Sequence, residues 1–206
     1  FHNNRRDTYI LLALIVIGAG MRFYHLGFPS LWNNEDYLAI SVKAILETGF
    51  PLFPTDILYP RALASSYLTA GVVKIFGFSE FSIRLPSAIF STLTIPLTYI
   101  FARQVIGRNT ALIASALITI FFWEIIMAQM GRMYSTFSFM VLLTLVLIHA
   151  AEIEEKKKLR IPALVSLCLA TSLHSISMAF IPMLIVFVPY FISKGKKPWC
   201  LLIYIL

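Results

Sequence analysis

Acid is scarce in this chain: Asp and Glu number 10 among 206 residues, against 17 Lys and Arg, and charged residues of all kinds make up 13%. A soluble domain carries about a quarter charged residues, so this balance, together with 59% hydrophobic residues, excludes an ordinary globular protein. Cysteine is scarcer still. Cys168 and Cys200 each sit in or beside an apolar segment, where a thiol acts as a small apolar side chain, and two isolated cysteines exclude a disulfide framework or a cysteine metal site. No basic patch interleaved with aromatics is present, so the formal net charge of +7 does not point to nucleic acid. No internal repeat is present either.

What the chain does have is apolar segments approaching the 20 or so residues that a bilayer core requires. They run over about 8–27, 85–105, 110–128, 135–151, 161–177 and 179–193, and a further one from 198 is incomplete at 206. The first follows Arg5 and Arg6 and could be a signal peptide, but Gly18-Ala19-Gly20-Met21-Arg22 makes a poor cleavage site, so a retained anchor is expected. The incomplete last segment predicts that these residues are the amino-terminal portion of a longer chain. The expected fold class is an all-α integral membrane protein: a polytopic helix bundle with two amphipathic interfacial helices in its first extracytoplasmic loop.

Orientation follows from the basic residues. With a cytoplasmic amino terminus, Arg5, Arg6, Arg103, Arg108, Lys156, Lys157, Lys158, Arg160, Lys194, Lys196 and Lys197 fall inside, eleven of the 17. The loop of about 28–84 then faces outward. The positive charge is accounted for by topology and anionic inner-leaflet lipid.

Within that loop, Asn33 is a plausible N-cap, and Glu35 and Asp36 in the next turn suit the positive end of a helix dipole. Leu38, Val42, Ile45 and Leu46 recur at helical spacing until Gly49 and Pro51 end the pattern. Residues 50–60 contain three prolines and should be largely extended. A second helix is expected over 62–76, with Leu63, Tyr67, Leu68, Val72 and Ile75 on one side and Gly77 closing it. Two surface-lying helices make a platform that can hold polar groups over a lipid-facing cleft.

The words Leu31-Trp32-Asn33-Asn34-Glu35, Phe76-Gly77-Phe78-Ser79-Glu80, Arg84-Leu85-Pro86-Ser87, Gly107 and Met130-Gly131-Arg132-Met133-Tyr134 occur in order over roughly residues 10–150. This order resembles the amino-terminal half of the polyprenyl-phosphate-dependent glycosyltransferases of the GT-C fold, close to the protein O-mannosyltransferase and aminoarabinose transferase branch. The resemblance implies a hexosyl- or pentosyltransferase that moves a sugar from a polyprenyl-phosphate carrier to an extracytoplasmic protein, lipid or glycan hydroxyl. It also implies a multi-pass membrane location, with an acidic residue of the first outer loop acting at the acceptor. Composition suits a prokaryotic plasma membrane with the site facing outward. A phosphate ester departs without acid help, so a base for the acceptor and cations for the phosphate suffice in principle, and no cofactor or metal is expected beyond the lipid-linked donor, which is a substrate.

One departure stands out. Relatives typically read Trp-x-Asp-Glu where this chain has Asn34 before Glu35, and Asn cannot take a proton. Glu35 is therefore the first candidate base and Asp36 the second, while the plainer alternative is that both only cap the helix dipole. Asn34, Arg61, Arg84, Arg132, Tyr134 and His174 are the candidate substrate-binding residues. Each has a structural alternative: solvation for Arg61, a span anchor for Arg84, a snorkelling side chain for Arg132, an aromatic belt for Tyr134 and simple packing for His174. Glu124 could pair with Arg132, or mark a transporter or flippase, and a catalytically inactive scaffold of the same fold is the remaining alternative. Pro96 and Pro182 should kink their helices, and the 152–158 run reads as a solvated cytoplasmic cap.

Overall fold

The computed structural model describes residues 2–32, 34–55, 57–174, 188–195, 201 and 204. Among them the structure is helical, with a single isolated antiparallel bridge, Leu52 to Leu58. The helices are α1 His2–Phe23, α2 Glu35–Thr48, α3 Leu63–Phe76, α4 Glu80–Val105, α5 Arg108–Ile120, α6 Phe122–Ala128, α7 Tyr134–Ile148 and α8 Arg160–Leu173. A π-helical turn, His149–Ile153, extends α7.

Two of these helical stretches, Glu80–Val105 and Tyr134–Ile153, are long and apolar enough to cross a membrane, and the bent pair α5 and α6 makes a third if counted as one span. Six spans and part of a seventh were expected. α1 reaches 22 residues, but Arg5, Arg6, Asp7 and Arg22 dilute its apolar run, and α8 has 14 residues. The expected segments at 179–193 and 198–206 lie mostly outside the described residues, as do Pro182 and Cys200.

α4 is the hub, touching α1, α3, α5, α6 and α7. It is started by Ser79, whose hydroxyl accepts from the Ser82 N–H at 3.2 Å, and it continues through Pro86 and Pro96. Its inward face is small and hydroxylated, with Ser87, Ala88, Ser91 and Thr94 all buried, so neighbouring helices approach closely.

Between α5 and α6 the chain bends by 56° at Phe121. That bend frees carbonyls at the end of α5, and the fully buried Arg22 of α1 takes them up. Its guanidinium donates to the carbonyls of Ile118 at 3.0 Å, Thr119 at 3.1 Å and Gly18 at 3.2 Å, and to the Ser91 hydroxyl at 2.8 Å. A buried cation at the negative end of a helix dipole stabilises the break. Glu124 sits within electrostatic reach of Arg22, and its carboxylate accepts from Ser91, so its partner group is this one and not Arg132. At the other end of α1, Arg108 of α5 clamps the buried Asp7, which also accepts from the Tyr99 hydroxyl.

α2 and α3 lie where the sequence predicts them, closed by Gly49 at φ 84° and Gly77 at φ 84°. The N-cap of α2 is Asn34 and not Asn33, with a left-handed backbone and no side-chain capping bond. In α3 the expected apolar stripe is the exposed one. Ser65, Ser66, Thr69, Ala70 and Val73 pack inward, while Leu63, Tyr67, Leu68 and Ile75 are exposed. The large apolar side chains that would form a core in water point outward, and small residues make the close contact with the bundle.

The 152–158 run is also not a wholly solvated cap. Glu152 is buried and held by both arms of Arg160, with the Tyr204 hydroxyl donating to it at 3.1 Å.

Candidate functional site

The left-handed Asn34, at φ 68° and ψ 10°, turns the chain sharply into α2 and fixes which of its first two acids faces inward. Glu35 does, with no exposed surface, and Asp36 faces out.

Glu35 meets Arg84 of α4 in a two-armed pair, with Nε to Oε1 at 2.9 Å and Nη2 to Oε2 at 2.7 Å. Its remaining lone pairs accept the backbone N–H groups of Trp32, at 3.1 Å, and Gly131. The carboxylate is therefore fully subscribed. Burial pushes the Glu35 carboxyl up, but the Arg84 hydrogen bonds and the two backbone donors outweigh it and hold the group below its ordinary value. A carboxylate so placed has neither a free lone pair nor access to an acceptor. The expectation of Glu35 as base conflicts with this geometry, because the charge is spent in holding the fold.

Arg84 is equally committed. Besides Glu35 it donates to the carbonyls of Leu26 at 3.0 Å, Pro29 at 2.7 Å and Ser30 at 3.0 Å, so all five of its N–H donors are used. It ties the segment after α1 to the start of α2 and leaves no donor for a substrate, which corrects its place among the binding residues. Gly131 completes this knot from the α6–α7 loop. A Cβ there would meet Ile83 Cγ2 at 2.7 Å and Glu35 Oε1 at 3.2 Å, so only glycine lets its N–H reach the acid.

Arg132, the next residue, is the opposite case. It is buried to 6% exposure, yet its guanidinium makes one hydrogen bond, to the Asn34 carbonyl at 2.9 Å, and lies 5.8 Å from the Tyr134 ring centre. The Ser87 hydroxyl fixes its backbone carbonyl at 2.8 Å. Most of its donors are unspent. Beside it a cavity of about 10 Å³, room for a single water, is bounded by Ser65, Ser66, Tyr59 and Gly131. The Tyr134 ring lies 6.1 Å from that of His174, which follows α8, and His174 also packs on Phe137.

The structure thus brings Asn34, Arg132, Tyr134 and His174 to one wall, with Asp36 two residues from the carbonyl that Arg132 holds. Arg61 is exposed, ahead of α3. Sequence reasoning missed two contributors: the Asn34 carbonyl, which acts where its side chain was expected to, and the Gly131 N–H. A glycine inside a motif word was the available sign of the second. Among the described residues no cluster of three His, Cys, Asp or Glu side chains could hold a metal ion.

Comparison with known proteins gives the same fold. The oligosaccharyltransferase of Archaeoglobus fulgidus, solved tethered to an acceptor peptide with the NVT sequon, superposes with a TM-score of 0.72 at 16% identity, covering 88% of this chain and 26% of that one. AglB from the same organism, solved with an inhibitory peptide and a dolichol-phosphate, gives 0.74 at 15% identity over 93% of this chain and 26% of that chain. An uncharacterised protein of Aquifex aeolicus (strain VF5) is 29% identical over 171 residues, 81% of this chain and 34% of the relative. The chain therefore spans about a third of its curated relative and about a quarter of the solved structures. The family model described as dolichyl-phosphate-mannose-protein mannosyltransferase matches residues 60–206, more than half of the chain, and the chain belongs to that family of membrane glycosyltransferases.

Proposed function

We propose that this chain forms the acceptor-activating wall of a transferase that moves a sugar from a polyprenyl-phosphate carrier to a hydroxyl outside the cytoplasm, with Asp36 as base and Arg132 as phosphate handle. The observation that carries the reading is the division of charge: Glu35 and Arg84 are spent on each other and on the backbone, whereas Asp36 is exposed and Arg132 keeps free donors.

In the proposed reaction the acceptor O–H gives its proton to Asp36 as its oxygen bonds to the anomeric carbon. The bond from that carbon to the phosphate oxygen breaks, and the polyprenyl phosphate leaves with its added negative charge against Arg132. A guanidinium suits this role because its planar fork matches phosphate oxygens. Tyr134 and His174 border the same space and would contact the sugar or phosphate. The cavity beside Arg132 is too small for a phosphate, so donor binding must move the 130–134 loop or the 50–60 segment outward. The positive charge of Arg132 lets the chemistry proceed without a metal in this reading.

The outward-facing, lipid-compatible surface of α3 supports placing α2 and α3 as a platform resting on the outer leaflet. The AglB structure solved with dolichol-phosphate supports a polyprenyl-phosphate donor, and the oligosaccharyltransferase solved with a peptide supports a polypeptide acceptor.

The test incubates the purified full-length protein with a radiolabelled undecaprenyl-phosphate sugar. Label transferred to an acceptor, and lost in Asp36→Asn with donor binding intact, is the expected result. Label accumulating inside vesicles would instead identify a transporter or flippase, and bound but unreacted donor would identify an inactive scaffold.

A further inference from the structure

The segment between α2 and α3 folds back on itself. The Phe53 N–H donates to the Ile57 carbonyl at 2.9 Å and the Tyr59 N–H to the Pro51 carbonyl at 2.8 Å, which frames the Leu52 to Leu58 bridge. Tyr37, Phe53 and Tyr59 cluster, with ring centres 5.1 to 6.4 Å apart and Phe53 edge-on to Tyr37, and fasten this ribbon to the first turn of α2. Tyr67 donates to the Gly49 carbonyl at 3.0 Å and fixes the other end. Between the two fastenings the ribbon stands away from the helix and leaves a trough of about 390 Å³. Its floor is apolar, from Ile40, Ala44, Leu52, Phe53 and Pro54, and its rim carries Lys43 and Glu47.

Two features say what fits it. Asp36, Ile40, Lys43, Ala44 and Glu47 fall on one stripe of α2 at about 100° per residue, so the trough runs away from Asp36 along the helix. In addition, Leu52 and Leu58 form a non-hydrogen-bonded pair, so the N–H and C=O of Leu52 point away from Leu58; the N–H donates to the Phe50 carbonyl at 3.0 Å, and the carbonyl has no partner among the described residues. A free main-chain carbonyl beside an apolar floor can accept from a backbone N–H of an extended polypeptide while the floor seats one of its side chains.

We infer that the trough between α2 and the 50–60 ribbon is an acceptor-polypeptide subsite that seats one aliphatic side chain while a Ser or Thr hydroxyl lies over Asp36. Asp36 to Ala44 is eight helical residues, about 12 Å, which three or four residues of extended chain cover at roughly 3.3 Å each. The aliphatic residue is therefore three or four positions from the hydroxyl. This inference rests on the role proposed for Asp36.

The test uses the full-length enzyme in membranes, a radiolabelled undecaprenyl-phosphate sugar and synthetic heptapeptides with one Thr and either Leu or Gly three or four positions away. The Leu peptides should have a kcat/KM about tenfold higher than the Gly peptides, the scale of one aliphatic side chain in an apolar pocket. Ala44→Trp, which fills the trough, and Lys43→Trp, which covers it from an exposed rim position, should bring that ratio to within about twofold. A peptide with benzoylphenylalanine in place of Leu should crosslink within residues 40–54, a readout that needs neither turnover nor the Asp36 role. Equal use of Leu and Gly peptides, a preference that survives both variants, or a crosslink elsewhere overturns the subsite. Transfer to a lipid or glycan hydroxyl alone also overturns it while leaving the proposed reaction standing, whereas turnover unchanged in Asp36→Asn overturns the reaction and not the crosslink.

Discussion

Two carboxylate and guanidinium sets meet where α2, α4 and the α6–α7 loop come together, and they are built to opposite rules. In the first, Glu35 and Arg84 satisfy each other and use every remaining lone pair and donor on the backbone of Trp32, Gly131, Leu26, Pro29 and Ser30. In the second, Asp36 is exposed and Arg132 has one hydrogen bond to the protein. Burial alone does not separate them, since Arg84 and Arg132 are both buried. Satisfaction does: a buried group with every bond made specifies structure, and one with bonds to spare is available for a ligand.

The largest expected effect breaks the closed set. Arg84→Ala leaves the Glu35 charge buried without its partner and should cost about 3–5 kcal/mol of stability, read as loss of folded protein in detergent. The double change to Met at both positions should recover much of that loss, because an apolar pair of similar volume often replaces a buried ion pair at little cost. Next is the open set. Arg132→Met should leave folding nearly intact and weaken the donor, raising its KM by about 10- to 100-fold, the worth of one or two charge-assisted bonds. Gly131→Ala tests the hinge between the two. Its methyl group would press on Ile83 and Glu35, and an overpacking cost of about 1–3 kcal/mol is expected in thermal unfolding.

The smallest effect is on pH. The Glu35 carboxyl is held below its ordinary value in the folded state, so its contribution is fully present above the unfolded pKa of about 4.3. It is lost as pH falls through that point towards the lower folded value. The Tm of the wild type should therefore drop more steeply below about pH 4.3 than that of Glu35→Gln, which has no charge to lose.

Much of the frame was legible in the sequence. Gly49 and Gly77 end α2 and α3 where expected, because positive φ is cheap for glycine alone. The choice between Glu35 and Asp36 was not legible. Neighbouring residues differ by about 100° around a helix, and the rotation that buries one of them is set by the left-handed turn at Asn34 and by Arg84, which arrives from 49 residues away. What surrounds the α3 stripe was not legible either: periodicity locates an apolar stripe but does not say whether core or lipid receives it. The bend at Phe121 carries no Pro or Gly to announce it. It depends on the Arg22 guanidinium reaching the Ile118 and Thr119 carbonyls, contacts that span 96 and 97 residues.

The central claim is that Asp36 and not Glu35 takes the acceptor proton, and turnover per folded molecule of Asp36→Asn against Glu35→Gln in the full-length enzyme tests it most directly. Asp36→Asn should lose about 10²- to 10⁴-fold in kcat at unchanged stability, the worth of a general base, while Glu35→Gln should lose stability and keep most of its turnover once normalised to folded protein. The reverse pattern, with Asp36→Asn active and folded Glu35→Gln inert, would contradict it.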